Sequence, residues 1–489
     1  MGVGTSRGGR AALLLALLLV GGCGGCGDRL DLDASKETLV KLPGGWRRGT
    51  VAVADDGRTV AFVEDVDGGA RVVAGGAPGR RFAQVTNPQF APKTHRLGYW
   101  ATDSTQPPAE VGLVIDGQVI PTEANQPGTL VWSPDGTRWG AAVGLAEEVV
   151  DGVPHRRPTV ILVDGRDMGR WIDTTPPAFS PDGRHVAWLA QIDDGRIAVV
   201  VDGVAREPFA KPEGRVSPGM TFKNVGPTLA PQHVLRWLAD GTLLLLAPDR
   251  DGWTLSRDGT VLGVWRHVEW QTAGPIHLAF GDEFANAARI ASIAVAVAAK
   301  APVVAYWERL EGEKPQWRVM RDGKPVDDVI CSRYWETQPP PTLSSDGRHI
   351  AYACAGPDAM QRPDVVVVVD GVRHGPYRNV YGIAVAEDAS HGAWAATLDP
   401  EPSPTWHFFI DGKALRGDWA EAWRPRLDDP GEHLAWEAAP ARGRPALGID
   451  GVSVSRFDGI FWGPVFTEPR RVGWVVRRGR RLVRLDLTY

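Results

Sequence analysis

Phe179-Ser180-Pro181-Asp182-Gly183-Arg184-His185-Val186-Ala187-Trp188 decides how this 489-residue sequence is read. Its first half is turn chemistry: proline presets φ, aspartate bonds back to the backbone, and glycine supplies a positive φ. Its second half is strand, with Ala187 and Trp188 on opposite faces because side chains alternate. A small residue there lets a neighbouring sheet approach closely, and the large ring fills the adjoining interface. The same offset returns in Leu343 to Tyr352 and in Ser133 to Gly136 with its following strand. Weaker copies are Asp55 to Phe62, Ala91 to Tyr99 and Ala299 to Tyr306, and a degenerate one is Ala239 to Leu246.

Taken along the chain, the small-residue anchor falls at Ala61, Gly98, Gly140, Ala187, near Leu245, then at Ala305, Ala351, Ala393, Ala435 and Gly473. The mean step is about 46 residues, the repeat length of a propeller blade. A second anchor follows each copy, an apolar run ending in Asp-Gly: Asp116-Gly117, Asp164-Gly165, Asp202-Gly203, Asp370-Gly371, Asp411-Gly412 and Asp450-Gly451. Short β-rich runs at this period, with no helical periodicity, predict an all-β fold of about ten four-stranded blades. The final unit runs through Arg480 to Leu487 as a third strand and has no fourth, whereas Glu37 to Leu42 is strand-like and belongs to no unit. Pairing the two would close one ring and remove an exposed edge. Two smaller rings, divided in the irregular stretch 266–289, are the alternative. Twenty tryptophans are accounted for as packing between blades.

These repeats resemble the WD-repeat-like units of the TolB-type propeller family, on Ser133 to Gly136, Ser180 to Gly183 and Ser345 to Gly347 with the strands after them. The resemblance covers the chain from Trp46 to Tyr489 and implies fold alone. TolB carries an amino-terminal mixed α/β domain, for which residues 28–45 are too few, and six blades rather than ten. Its partner-binding role is therefore not carried over.

The amino terminus is read as an export signal. Arg7 and Arg10 precede the apolar run Ala11 to Val20, which as a helix would extend only about 15 Å, half a hydrocarbon core. Leu19-Val20-Gly21-Gly22-Cys23 resembles the lipobox of bacterial lipoproteins. The resemblance implies cleavage before Cys23 and fatty acylation of that residue, several chains together anchoring stably where one would not. The expected organisation is signal peptide 1–22, Gly-rich lipidated tether 23–36 and propeller 37–489. A signal cleaved without lipidation is the alternative. Gly24 is not the aspartate associated with inner-membrane retention in enteric lipoproteins, which favours the outer membrane. Cys331 and Cys354, 23 residues apart, are permitted a disulfide by an oxidising compartment, with two separate buried thiols as the other reading.

Catalytic motifs are sparse. No Gly-x-Ser-x-Gly elbow or His-Glu-x-x-His is present, and His433 to Glu437 has the wrong residues. Asp249 to Gly252 lacks the alternating oxygen ligands and terminal glutamate of a calcium loop, so the Asp-Gly pairs are assigned to turns. No metal or cofactor is expected. His185 and His349 recur at one repeat position, which points to a structural role at the turn exit. A formal charge of −5 offers no basic face for nucleic acid. One local departure is the cluster Arg470, Arg471, Arg477, Arg478, Arg480, Arg481 and Arg484. In a strand register Arg478 and Arg480 share a side, as do Arg477 and Arg481 after a turn. The cluster is either a charge-protected blade edge or an interaction patch for an anionic ligand or lipid headgroup. Trp419 and Trp423 are read as core, or as part of a binding surface.

The expected function is a non-enzymatic cell-envelope lipoprotein, membrane-attached through its lipid, whose propeller binds or scaffolds a protein, peptide or glycan. The alternative is a glycan lyase or hydrolase with its active site in the central channel.

Overall fold

A computed structural model describes residues 33–489 except 87, 106–110, 125–126, 146–147, 151–152, 156–157, 194–195, 208, 211–233, 250–251, 267–287, 291–292, 311–315, 333–340, 357–363, 389, 400–403 and 469. Every regular element among the described residues is a strand, and the strands form ten antiparallel sheets arranged as the blades of one ring, with a separate two-stranded hairpin, Glu148–Val150 and Val153–His155, in blade 3. In chain order the blades span 52–82, 84–124, 129–171, 173–210, 234–266, 288–325, 342–377, 379–414, 421–456 and 459–488. We letter the strands of each blade A to D from the channel outward. Blade 6 carries an additional strand, Ala288–Ile290, on the channel side of Ile293–Val297.

The repeat anchors fall on strand B. Trp188, Trp394, Trp436 and Trp474 are fully buried there, beside Ala187, Ala393, Ala435 and Gly473. Among the described residues the indole N–H groups of Trp188, Trp436 and Trp474 meet no acceptor, so these rings act as volume. The small partner is needed for approach: a Cβ on Gly98 would stand 2.4 Å from Leu130 Cδ2 of the next blade. An apolar cluster fills each of the ten seams, including Leu189, Ile197 and Leu243 between blades 4 and 5, and Leu238, Leu255, Val304 and Tyr306 between blades 5 and 6. This continuity makes one ring rather than two.

Asp33–Lys41 supplies strand D of blade 10, antiparallel to Arg481–Thr488. Thr38 pairs with Val483 and Val40 with Leu482, after which the Leu42 N–H donates to the Arg480 carbonyl at 2.8 Å. The strand therefore begins at Asp33 rather than Glu37: its first residues, assigned from sequence to the tether, already belong to the ring. Lys36, Glu37 and Lys41 put charge on the outermost edge, which discourages pairing with other chains.

The two kinds of turn share one end of every regular blade, here called the turn face. A–B connections are the Pro-Asp-Gly type loops, and C–D connections are Asp-Gly hairpins in blades 2 to 9 and Gly75-Gly76 in blade 1, with both central residues at positive φ (51° and 81° at Asp116-Gly117). In the A–B turns the serine hydroxyl donates to the aspartate, Ser133 to Asp135 at 2.5 Å and Ser344 to Asp346 at 2.7 Å. The Ser133 hydroxyl, then the Thr137 N–H and hydroxyl, pull Asp135 from 3.8 down to about 2. The Arg348 N–H and then the Ser344 hydroxyl lower Asp346 as well. Depressed carboxylates stabilise the fold above their unfolded pKa and cease to do so as pH falls through the folded one. Chemical unfolding is therefore expected to lose stability from these turns between about pH 4 and pH 2. Ser133→Ala with Ser344→Ala should flatten that slope, and an unchanged slope would assign the acid sensitivity elsewhere.

Cys331, bridged to Trp317 in strand C of blade 6, is joined to Cys354 in strand B of blade 7, with Cα atoms 5.3 Å apart. The disulfide closes a loop with a sequence separation of 23 across a seam. Loop-closure entropy for that length is worth about 3 kcal/mol. Cys331→Ala with Cys354→Ala is expected to lower the unfolding free energy by that amount, reductant producing the same loss in the parent and none in the variant.

Candidate functional site

On the turn face a clamp recurs from blade to blade. The Asp of each C–D hairpin accepts the N–H of the residue that opens strand B: Leu97 to Asp116, Trp139 to Asp164, Val186 to Asp202 and Ile350 to Asp370, all at 2.9 Å. Its second oxygen holds the side chain just before that strand. Arg96 and Arg138 fill the place in blades 2 and 3, each at 2.8 Å. His185, His349, His391 and His433 fill it in blades 4, 7, 8 and 9, at 2.7, 2.8, 2.5 and 2.6 Å. These histidines thus serve the turn exit. The sequence shows two of the four and no aspartate partner, because the partners lie 17 to 21 residues away and only the strand register joins them.

Ser390 approaches this system and has a superficial likeness to a hydrolase triad. Its hydroxyl is 3.3 Å from His349 Nδ1, but Asp370 Oδ2 contacts the same nitrogen at 2.8 Å. A triad needs the acid and the hydroxyl on opposite ring nitrogens, so this arrangement cannot relay a proton from serine through the imidazole. Among the described residues no three His, Cys, Asp or Glu side chains are grouped to hold a metal. The turn of the 249–252 hairpin lies outside the described residues.

Cys23 also lies outside the described residues. The arginine cluster is described, and the fold does not assemble it into one patch. Arg470 and Arg471 stand at the start of the strand Arg471–Arg478, while Arg477, Arg478 and, across the turn, Arg480 and Arg481 stand at its other end, about 20 Å away at a strand's rise per residue. Across the hairpin Arg478 faces Arg481 and Arg477 faces Leu482, which corrects the sidedness expected from sequence. The cause is the two-residue turn at Gly479 and Arg480, which places Arg480 in the turn itself. Arg484 is buried and grips Asp486 at 2.8–3.0 Å, with Arg471 3.3 Å from the same carboxylate. Arg477 donates to the Asp458 carbonyl at 2.9 Å and lies over Trp46, and Arg478 lies over Phe457. Arg480 donates to the Leu42 carbonyl at 3.2 Å, beside the closing strand. Trp419 packs on Trp436 with centroids 4.8 Å apart, and Trp423 is half-buried opposite Glu437.

A cleft of about 390 Å³ opens on the turn face at the seam of blades 4 and 5. Its walls are the A–B turn of blade 4 (Ser180, Pro181, Asp182), His185, Trp237 at the end of strand A in blade 5, and the turn Ala239, Asp240, Gly241. The Ser180 hydroxyl and the Arg184 N–H hold Asp182 below the usual carboxylate range. Burial pushes Asp240 up, but the Thr242 hydroxyl and N–H outweigh it and leave it lowered. Both are anions at neutral pH. Arg184, 83% exposed, makes only a loose 3.9 Å contact with Asp182. The cleft therefore offers one indole, two carboxylates and an imidazole to solvent.

No family model matches the chain, and no curated protein matches it. Among solved structures it is similar to a eukaryotic initiation factor, at 10% identity and TM-score 0.42, over 81% of this chain and 96% of that one. It is also similar to the β-propeller domain of the Trilobed protease from Pyrococcus furiosus, at 12% identity and TM-score 0.31, over 76% and 96%. TolB from Acinetobacter baumannii matches at 14% identity and TM-score 0.25, over 57% of this chain and 62% of TolB. These are likenesses among propellers and carry nothing about activity or partners.

Proposed function

We propose that the protein is a non-enzymatic lipoprotein of the bacterial cell envelope, anchored through Cys23, whose propeller binds a partner on its turn face. The carrying observation is the cleft between blades 4 and 5, where ionised carboxylates and an indole stand together at the rim of a rigid ring. Rigid scaffolds with side chains held by turns are suited to recognition, since little ordering is lost on binding. The repeated clamps support the same reading, because they commit the turn-face histidines and arginines to architecture.

The anchor is tested by intact mass and membrane fractionation of the parent and Cys23→Ser. Acyl mass and membrane recovery, both lost in the variant, are expected; an unmodified soluble parent removes the anchor. The binding face is tested by a photo-crosslinking residue placed at Ala239, with Leu398 as the control. Leu398 follows strand B of blade 8, at the opposite end from the turns, and is 56% exposed. A discrete adduct in cells from position 239 and not from 398 is expected. Equal labelling from both would remove the face assignment.

A further inference from the structure

The ring contains its own template for what this cleft takes. In blade 3, Arg138 precedes strand B and reaches forward into blade 4. Its Nε bonds Asp164 at 2.8 Å, its Nη1 donates to the Gly183 and Arg184 carbonyls at 3.0 and 2.9 Å, and its guanidinium lies 5.4 Å over the Phe179 ring. In blade 2, Arg96 repeats the arrangement: Nε on Asp116 at 2.8 Å, Nη1 on the Thr137 carbonyl, and the guanidinium 5.3 Å over Trp132. Trp132 and Phe179 each end strand A of the receiving blade.

At the next seam the receiving frame is intact. Trp237 ends strand A of blade 5, the Asp-Gly turn stands beyond it, and Asp202 waits on the giving side. The giving residue, however, is His185. Its Nδ1 pairs with Asp202 at 2.7 Å and its ring centroid stays 6.2 Å from that of Trp237. Imidazole is shorter than the arginine side chain: its ring meets the indole at a 32° tilt, and it makes no hydrogen bond to the turn of blade 5 among the described residues. The volume an arginine occupies at the two preceding seams is here the open cleft, and Asp182 and Asp240 add two carboxylates to its walls.

We infer that the cleft is a receptor for a guanidinium group, presented by an exposed arginine side chain of a partner polypeptide, which completes the seam as Arg96 and Arg138 do from within the chain. A guanidinium is planar, stacks on an aromatic face and donates in its plane to carboxylates and carbonyls. A neutral saccharide also stacks on an indole and donates its hydroxyls to carboxylates, but it gains no charge pairing with two anions, which a guanidinium does. A polypeptide source is favoured over the free amino acid, whose α-carboxylate would meet Asp182 and Asp240. This inference rests on the turn face being the binding face and names the chemistry recognised there.

The probe is N-acetyl-L-argininamide, titrated calorimetrically against the full-length protein. Binding is expected to weaken by at least about tenfold with the neutral citrulline analogue, which keeps the shape and removes the charge. Free arginine is expected to bind more weakly than the capped amide; equal affinity would overturn the polypeptide source. His185→Arg is expected to place the chain's own guanidinium over Trp237, keep the Asp202 pair and abolish probe binding while the protein remains folded. Asp240→Asn, which retains an oxygen for the Thr242 contacts, is a second variant expected to weaken binding without filling the cleft. Citrulline binding as tightly as arginine, or parent-like binding by folded His185→Arg, overturns the inference. Failure of the inference and failure of the face assignment are separable. A crosslink from position 239 that persists in His185→Arg would sink the guanidinium reading and leave the face standing, and its absence in the parent would sink both.

Discussion

A chain that begins at Pro43, delivered behind a cleavable signal, is expected to be isolated as oligomers or aggregates rather than as a monomer. Removing Asp33–Lys41 strips strand D from blade 10 and leaves Arg481–Thr488 as an open edge of unpaired N–H and C=O groups. It also removes Leu42, which is fully buried against Val60, Phe62, Val475 and Leu482 at the seam of blades 10 and 1. Loss of a buried leucine side chain alone costs about 2–5 kcal/mol, and here the ladder goes with it. Size-exclusion chromatography and denaturant unfolding read the result. A synthetic peptide of residues 33–42 added during refolding should restore the monomer by donating the missing strand. A monomeric truncated protein with the parent's unfolding midpoint would show that closure contributes nothing.

The second large effect is expected from Arg484→Ala. Arg484 and Asp486 are 4% and 6% exposed, and the arginine also reaches the Asp56 carbonyl of blade 1 and lies 5.6 Å over Trp462. Truncating it leaves a buried carboxylate held, among the described residues, by Arg471, and about 3–5 kcal/mol is the usual cost of breaking such a pair. Arg484→Met combined with Asp486→Leu should recover much of that loss, because a buried pair replaced as a unit by apolar groups leaves no uncompensated charge. Arg478→Ala and Arg481→Ala, at exposed positions, should each stay within about 0.5 kcal/mol. If all of these substitutions cost alike, the cluster acts as one surface and the distinction drawn here fails.

Much of the fold was legible because each blade repeats the same local chemistry. Asp182-Gly183 and Asp202-Gly203 declare two turns at one end of blade 4, and Ala187-Trp188 declares the strand between seams. Even the closing strand was visible as a segment without a blade. How the arginines of the cluster are distributed was not legible for a definite reason. Closeness in sequence does not distinguish the two ends of a strand, nor the buried Arg484 from the exposed Arg481 three residues earlier. The clamps were hidden because His185 and Asp202 meet only through strand pairing. The cleft had a faint trace in the sequence: aligned repeats put Arg96, Arg138 and His185 at one position. What an arginine there touches is set by the neighbouring blade, so the meaning of the change required the ring.

The pairing of residues near 33 with residues near 488 also dictates an order of events during biogenesis. Contacts this distant in the chain make closure a slow, late step that no local propensity can hasten. As the polypeptide emerges, the first nine blades can assemble by neighbour-on-neighbour growth, while Asp33–Lys41 waits without a mate until Arg481–Thr488 has been delivered. A product cut short anywhere before Arg481 would keep its edge open for good. The seal is thus a checkpoint on synthesis: a monomeric ring can form only from a chain that has been made through Arg481–Thr488.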